Sequence, residues 1–68
     1  MIPVATCKKL IKETSPNYRV GNDASTILAE TLEELGRDIS DRAKKLAHHA
    51  GRKTIKAEDI LMAVDELY

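Results

Sequence analysis

Residues 48–59, HHAGRKTIKAED, concentrate the side chains of this sequence that are best suited to binding an anion. Arg52, Lys53 and Lys56 place three positive charges within five positions, and Thr54 adds a hydroxyl between them. Lysine and arginine neutralise phosphate groups, and a hydroxyl can donate a hydrogen bond to a phosphate oxygen. This short stretch therefore predicts a binding site for a polyanion.

The positive charge is unevenly distributed along a chain whose net charge is zero, with 11 Lys and Arg against 11 Asp and Glu. Residues 1–22 and 51–57 carry seven cations and one acid, a net charge of +6. Residues 23–50 and 58–68 carry four cations and ten acids, a net charge of −6. We interpret this division as two surfaces of opposite charge. The cations of the positive set are Lys8, Lys9, Lys12, Arg19, Arg52, Lys53 and Lys56.

No group of residues in the sequence suggests catalysis. There is no glycine-rich phosphate loop, no nucleophile beside a base and no cluster with metal-ligand spacing. His48 and His49 would point about 100° apart on a helix, which disfavours a shared metal ion. Cys7 is expected to be a small buried apolar residue, with a redox or metal role as the alternative. We therefore expect no enzyme, cofactor, metal or small-molecule substrate.

Length and composition favour one small domain over residues 1–68. The core must be aliphatic, because the sequence contains no Trp or Phe and only two Tyr. A lone cysteine forms no internal disulfide, and the apolar runs are too short to span a membrane. The N-terminus also lacks the features of a signal peptide. We therefore expect a soluble protein of the cytoplasm.

Hydrophobic spacing predicts an all-α chain of three helices. Asn22 or Asp23 is the expected cap of the long second helix, and Gly51 is its expected end. The connection at 52–55 is too short for more than a loop or a strand stub. The expected helices lie between Pro3 and Ser15, from Asn22 to Ala50, and from near Ala57 to about Leu67.

The apolar stripe of the long helix is too wide for one chain to bury. It spans roughly 200° of the helical wheel, about twice the arc that a surface helix usually needs. Two short helices, each about 15–20 Å long, cannot cover a band of roughly 40 Å. Gly36, near the middle, would allow a second backbone to approach. We therefore expect an obligate homodimer whose long helices cross near Gly36. Arg42 falls on this apolar side, and the sequence alone identifies no acidic partner for it.

The basic surface is predicted to bind double-stranded DNA by contacting the DNA backbone rather than the bases. Phosphate contacts would release counterions and make the affinity strongly dependent on salt. The sequence has no recognition-helix Asn or Gln pair and no aromatic residues suited to stacking on single strands. Arg19 is the best candidate for insertion into a narrow minor groove of bent duplex.

Residues 33–64, EELGRDISDRAKKLAHHAGRKTIKAEDILMAV, resemble the archaeal histones, and AGRKTIKAEDI is the most specific segment. PVATCKKLIKET resembles their first helix, and RV at 19–20 their first loop. The resemblance implies a tailless histone fold over 1–68, with a short, a long and a short helix in an intertwined handshake homodimer. It also implies association with the nucleoid. The sequence departs from the family in its acidic end, VDELY, and in a bulkier first loop, TSPNYR.

The resemblance also implies roles for individual residues. Arg19 would enter the minor groove, paired across the dimer with Thr54, whose alternative role is to cap the third helix. Arg52 and Asp59 would form a structural ion pair, with phosphate binding by Arg52 as the alternative. From charge and resemblance together, the predicted DNA-binding residues are Lys9, Lys12, Arg19, Arg52, Lys53, Thr54 and Lys56.

A contact between dimers is a further implication of the resemblance. It would produce tetramers or longer stacks that wrap DNA. For His49 the alternative is an ordinary surface histidine, and His48 is expected to be solvated. The predicted dimer–dimer residues are Leu46, His49, Asp59 and Met62.

Two functions follow from these observations. The first is sequence-nonspecific DNA binding and compaction, which the dense basic loops favour. The alternative is a histone-fold dimerisation module that scaffolds protein complexes, which the zero net charge and the acidic VDELY end favour. A heterodimer with another histone is left open.

Overall fold

The computed structural model describes residues 1–68 and contains three α-helices and no strand. Helix α1 comprises Val4–Thr14, α2 comprises Asn22–His49 and α3 comprises Ala57–Leu67. The all-α prediction is confirmed, and the connection at 52–55 is a loop rather than a strand stub. With 28 residues, α2 is about 42 Å long. None of the three helices combines the length and apolar character needed to cross a membrane.

The chain divides into two units, residues 1–34 and residues 35–68. The first unit contains α1 and the N-terminal part of α2. The second contains the remainder of α2, the connection at 50–56 and α3. That residues 1–68 act as one domain stays a prediction.

Small side chains form the buried centre of the first unit. Cys7 is 0% exposed, and Ser25 and Ala29 of α2 are also buried. The expectation that Cys7 is a small buried residue is therefore confirmed. The Ser25 hydroxyl has no hydrogen-bond partner. Larger apolar side chains of this unit, including Leu10 and Ile27, remain exposed.

The second unit repeats this arrangement. Ala43 and Ala47 of α2 and Ala63 of α3 are buried, whereas Leu61 and Met62 are 68% and 55% exposed. Each unit therefore buries its small residues and leaves large apolar residues uncovered.

The buried residues of α2 are arranged symmetrically in sequence about Gly36. Ser25 and Ala47 lie equally far from it, as do Ala29 and Ala43. Within each half the two buried residues are one helical turn apart and therefore share a face. A Cβ atom added to Gly36 would meet no other atom within 4 Å. Nothing within the chain therefore requires glycine at this position.

Gly21, rather than a side-chain cap, precedes the first turn of α2. The prediction that Asn22 or Asp23 caps the helix is wrong, because both residues lie inside it. The Gly21 carbonyl accepts a hydrogen bond from the Ser25 N–H at 3.3 Å. Asp23 Oδ1 accepts one from the Ala24 N–H at 2.9 Å. A Cβ at Gly21 would lie 2.8 Å from that Oδ1, so glycine leaves room for the carboxylate beside the first turn.

Gly51 ends α2, as predicted, by adopting a left-handed φ of 73°. The Arg52 N–H donates to the Ala47 carbonyl at 3.0 Å, and the Gly51 N–H donates to the His48 carbonyl at 2.9 Å. This pair of hydrogen bonds is a Schellman motif, which satisfies carbonyls at the helix end and sets the direction of the following residues.

Candidate nucleic-acid interface

The second connection, residues 50–56, is held against the start of α3 by Arg52 and Asp59. Arg52 Nη1 and Nη2 donate to Asp59 Oδ2 and Oδ1 at 2.9 and 3.0 Å, a bidentate ion pair. Arg52 Nη1 also donates to the Thr54 carbonyl at 2.9 Å. Asp59 Oδ2 accepts the Lys56 N–H at 2.8 Å. One buried carboxylate and one guanidinium therefore fix the backbone on both sides of residue 55.

These contacts keep the pair ionised. Hydrogen bonds from the Arg52 side chain and then from the Lys56 N–H lower the pKa of Asp59 from 3.8 to about 2, although burial opposes the shift. The hydrogen bond to Asp59 raises the pKa of Arg52 in turn. The guanidinium is thus already occupied by a carboxylate. Of the two alternatives for Arg52, the geometry favours the structural pair over a primary phosphate contact.

Thr54 does not cap α3, contrary to one of the two roles considered for it. The N-cap residue is Lys56, and the side chain that binds its N–H belongs to Asp59. The Thr54 side chain is exposed and its hydroxyl makes no hydrogen bond within the chain. This hydroxyl is therefore available to another molecule.

Lys53 and Lys56 are exposed on the same connection, and neither forms an ion pair. The Arg52–Asp59 pair holds the backbone that carries them. The second connection consequently presents two exposed ammonium groups and one free hydroxyl from an anchored loop, and the Lys56 ammonium also attracts the Asp59 carboxylate.

The first connection, residues 15–21, is tied to α1 by backbone and side-chain hydrogen bonds. The Ser15 N–H donates to the Ile11 carbonyl at 2.9 Å, and the Tyr18 N–H donates to the Ser15 carbonyl at 3.1 Å. Lys12 Nζ donates to the Tyr18 carbonyl at 3.0 Å. The ammonium of Lys12, a predicted DNA contact, therefore holds the backbone next to Arg19.

Arg19 itself is exposed and makes no hydrogen bond or ion pair within the chain. Lys8 and Lys9 are exposed on α1 and are likewise unpaired. The first unit thus presents a free guanidinium beside an anchored loop, and free ammonium groups on its short helix. The predicted roles of Arg19 and Lys9 in DNA binding stay predictions.

The residues predicted for a dimer–dimer contact meet at one surface cleft of the second unit. The cleft has a volume of about 430 Å³ and its walls are mainly apolar. Asp59 is buried beside it with its carboxylate bound to Arg52. The members of the predicted set that line it are Leu46, His49, Asp59 and Met62. Their role in assembly stays a prediction.

Arg42 has the acidic partner that the sequence alone does not identify. Its Nε donates to Oε2 of Glu66 on α3. This hydrogen bond raises the pKa of Arg42 and lowers the pKa of Glu66. The acidic end of the chain therefore neutralises a cation on the apolar side of α2.

Comparison with known proteins places these features in a family. The family of histone-like transcription factors (CBF/NF-Y) and archaeal histones matches residues 1–64. A chain of archaeal histone HAN1 from Thermococcus zilligii is 44% identical, over 93% of this chain and 92% of the relative. DNA-binding protein HmvA of Methanocaldococcus jannaschii is 36% identical, over 97% of this chain and 68% of the relative. Nuclear transcription factor Y subunit beta of Homo sapiens is 31% identical, over 97% of this chain and 32% of the relative.

These matches confirm the resemblance to the archaeal histones, which is most specific in residues 33–64 and covers nearly the whole chain. They also agree with the order of a short, a long and a short helix. The matched family is one of histones and histone-like transcription factors rather than of enzymes. The chain therefore belongs to the histone-fold family of archaeal histones and histone-like transcription factors.

Proposed function

We propose that this chain is an architectural DNA-binding protein whose dimer binds, bends and compacts double-stranded DNA in the nucleoid, with little sequence specificity. The observation that carries the proposal is the set of exposed cations without an ion pair on the two anchored connections. Arg19, Lys53 and Lys56 are exposed and form no ion pair, whereas Arg42 and Arg52 are bound to carboxylates. Free cations on rigid loops suit phosphate contact because little conformational entropy is lost on binding.

The uncovered apolar surface supports a dimer. In the first unit Leu10 and Ile27 are 44% and 60% exposed, and in the second unit Leu61 is 68% exposed. Each unit therefore leaves large apolar side chains uncovered, and a stable soluble chain buries such surface against a partner. Exposed Leu10, Ile27 and Leu61 supply apolar surface for such an interface.

In the dimer that we propose, the two α2 helices cross near Gly36, where an added Cβ would meet nothing in the chain itself. The handshake arrangement would place the first connection of one copy beside the second connection of its partner. Arg19 could then receive support from the free Thr54 hydroxyl across the interface. Both groups lack partners within the chain, which is consistent with this pairing.

A titration of mixed-sequence duplex at several salt concentrations tests DNA binding. We expect sub-micromolar affinity at low salt and a steep linear fall of log K with log salt concentration, because each neutralised phosphate releases counterions. Arg19→Ala combined with Lys53→Ala should weaken binding equally for unrelated sequences. Absence of binding at low salt would overturn the proposal, and strong retention on one sequence would show base readout instead.

A second candidate function is a dimerisation module that scaffolds protein complexes. The zero net charge and the similarity to nuclear transcription factor Y subunit beta favour it. In that case the duplex titration would show weak or no binding while the chain still formed a stable dimer. Measuring mass and DNA affinity on the same preparation separates the two functions.

A further inference from the structure

The second unit contains another cleft, whose lining includes cations but no carboxylate. Its volume is about 390 Å³. Three of its cationic or imidazole side chains, Lys44, His48 and Lys53, are exposed and unpaired, whereas Arg52 is bound to Asp59. The lining residues are Lys44, Ala47, His48, Arg52, Lys53 and Ile55.

The distribution of charge along α2 explains why this cleft is positive. All acidic residues of α2 lie at or before Asp41, and the cations Arg42, Lys44 and Lys45 follow directly. Arg42 is paired with Glu66, and Lys45 Nζ lies 3.2 Å from Asp41 Oδ2. Lys44 is the one cation of this group without a carboxylate partner.

We propose that this cleft binds a backbone phosphate of duplex DNA and extends the contact from the second connection onto α2. The inference rests on the proposed DNA-binding function. Lys53 stands on the connection, and Lys44 and His48 stand one turn apart on α2. Two ammonium groups supply charge, and the imidazole can donate an N–H in either protonation state. The apolar walls Ala47 and Ile55 limit water around the phosphate and strengthen its attraction to the cations.

Lys44→Gln tests the cleft, and Lys45→Gln is its matched control. Both variants remove one positive charge from neighbouring positions of α2, but Lys45 does not line the cleft and is paired with Asp41. Duplex affinity is measured by titration of mixed-sequence DNA over a series of salt concentrations. For Lys44→Gln we expect weaker binding and a salt slope reduced by about 2 per dimer, one unit from each copy. Lys45→Gln should change both quantities less than half as much, and Lys44→Arg should retain them.

The other outcomes distinguish failure of the proposed cleft from failure of DNA binding as a whole. Equal losses in Lys44→Gln and Lys45→Gln would reveal general attraction to DNA without a site, and an unchanged Lys44→Gln would show that DNA does not reach the cleft. Either result overturns the inference while DNA binding itself stands. If the unsubstituted protein does not bind duplex, the proposed function fails first. Thermal melts of all variants check the fold, which exposed Lys44 should not affect.

Discussion

Asp59 supports the connection that is predicted to bind DNA and also lines the cleft that is predicted to contact a second dimer. Its carboxylate accepts hydrogen bonds from Arg52 and from the Lys56 N–H, which fixes the connection that carries Lys53. The same residue lines the cleft that contains His49. A buried acid with a bidentate arginine partner is costly to replace, because the partner's charge loses its compensation. We therefore regard Asp59 as structural in the second connection, whichever molecules bind around it.

The pH dependence of stability should report Asp59. Because its pKa falls from 3.8 to about 2 on folding, the ionised carboxylate stabilises the folded state above pH 4. That contribution should be lost as the pH falls from about 4 to about 2. Urea unfolding measured from pH 7 to pH 2 should show this decline. The Asp59→Asn protein should unfold at a lower urea concentration at pH 7. Its stability should also decline less steeply below pH 4.

Asp41→Asn provides the comparison for that experiment. Asp41 is an exposed acid on α2 with a surface partner, Lys45. Exposed pairs of this kind contribute little to stability. The urea unfolding curve of Asp41→Asn should therefore follow that of the unsubstituted protein at every pH. An Asp59→Asn protein with the same acid-dependent decline as the parent would contradict our account of the carboxylate.

At the scale of elements, the helices were predictable and their side-chain connections were not. Periodic apolar residues and the Gly51 stop are local signals, so the limits of α1, α2 and α3 followed from sequence. Arg42 and Glu66 lie on different helices, so their pairing depends on tertiary packing that no local pattern encodes. The hydrogen bond from Lys12 to the Tyr18 carbonyl depends on the turn at 15–18. The sequence identified Lys12 as a cation but not as a support for the loop.

Substitution of Gly36 tests whether two copies of α2 cross at the middle of the helix. In an isolated helix, Gly36→Ala should stabilise by about 1 kcal/mol, because alanine has the higher helix propensity. At a close crossing of two α2 helices, a larger side chain should instead separate the copies. We expect Gly36→Leu to raise the dimer dissociation constant at least tenfold, measured by sedimentation equilibrium.

Glu30→Leu is the control for Gly36→Leu, since it places the same side chain on the exposed polar side of α2. It should leave the dissociation constant nearly unchanged. If Gly36→Leu and Glu30→Leu change the dissociation constant equally, the two α2 helices do not cross near Gly36. A parent protein that sediments as a monomer at all concentrations would refute the dimer itself.

At the scale of the whole molecule, we predict that assembly beyond the dimer uses the cleft lined by Leu46, His49 and Met62. The sequence resemblance selected these residues, and the structure brings them together at one surface. Their association with a second dimer stays a prediction. An apolar cleft with an imidazole beside a buried ion pair is suited to a specific rather than a general contact.

His49→Ala should abolish tetramers while preserving dimers, because it removes a polar group from that cleft without altering the apolar stripe of α2. The masses of parent and variant are compared by analytical ultracentrifugation without DNA, and again with duplex. His48→Ala is the control in the absence of DNA, since His48 does not line this cleft. Tetramers that persist unchanged in His49→Ala would place the association on another surface.

Gly51 carries no charge and no side chain, yet it governs where several charges point. Its left-handed φ of 73° turns the chain out of α2 into the segment that bears Arg52, Lys53 and Lys56. A residue with a Cβ would resist this conformation and rotate that segment away from its present direction. Variation at a neutral position could therefore reshape the electrostatic surface as strongly as the loss of a lysine.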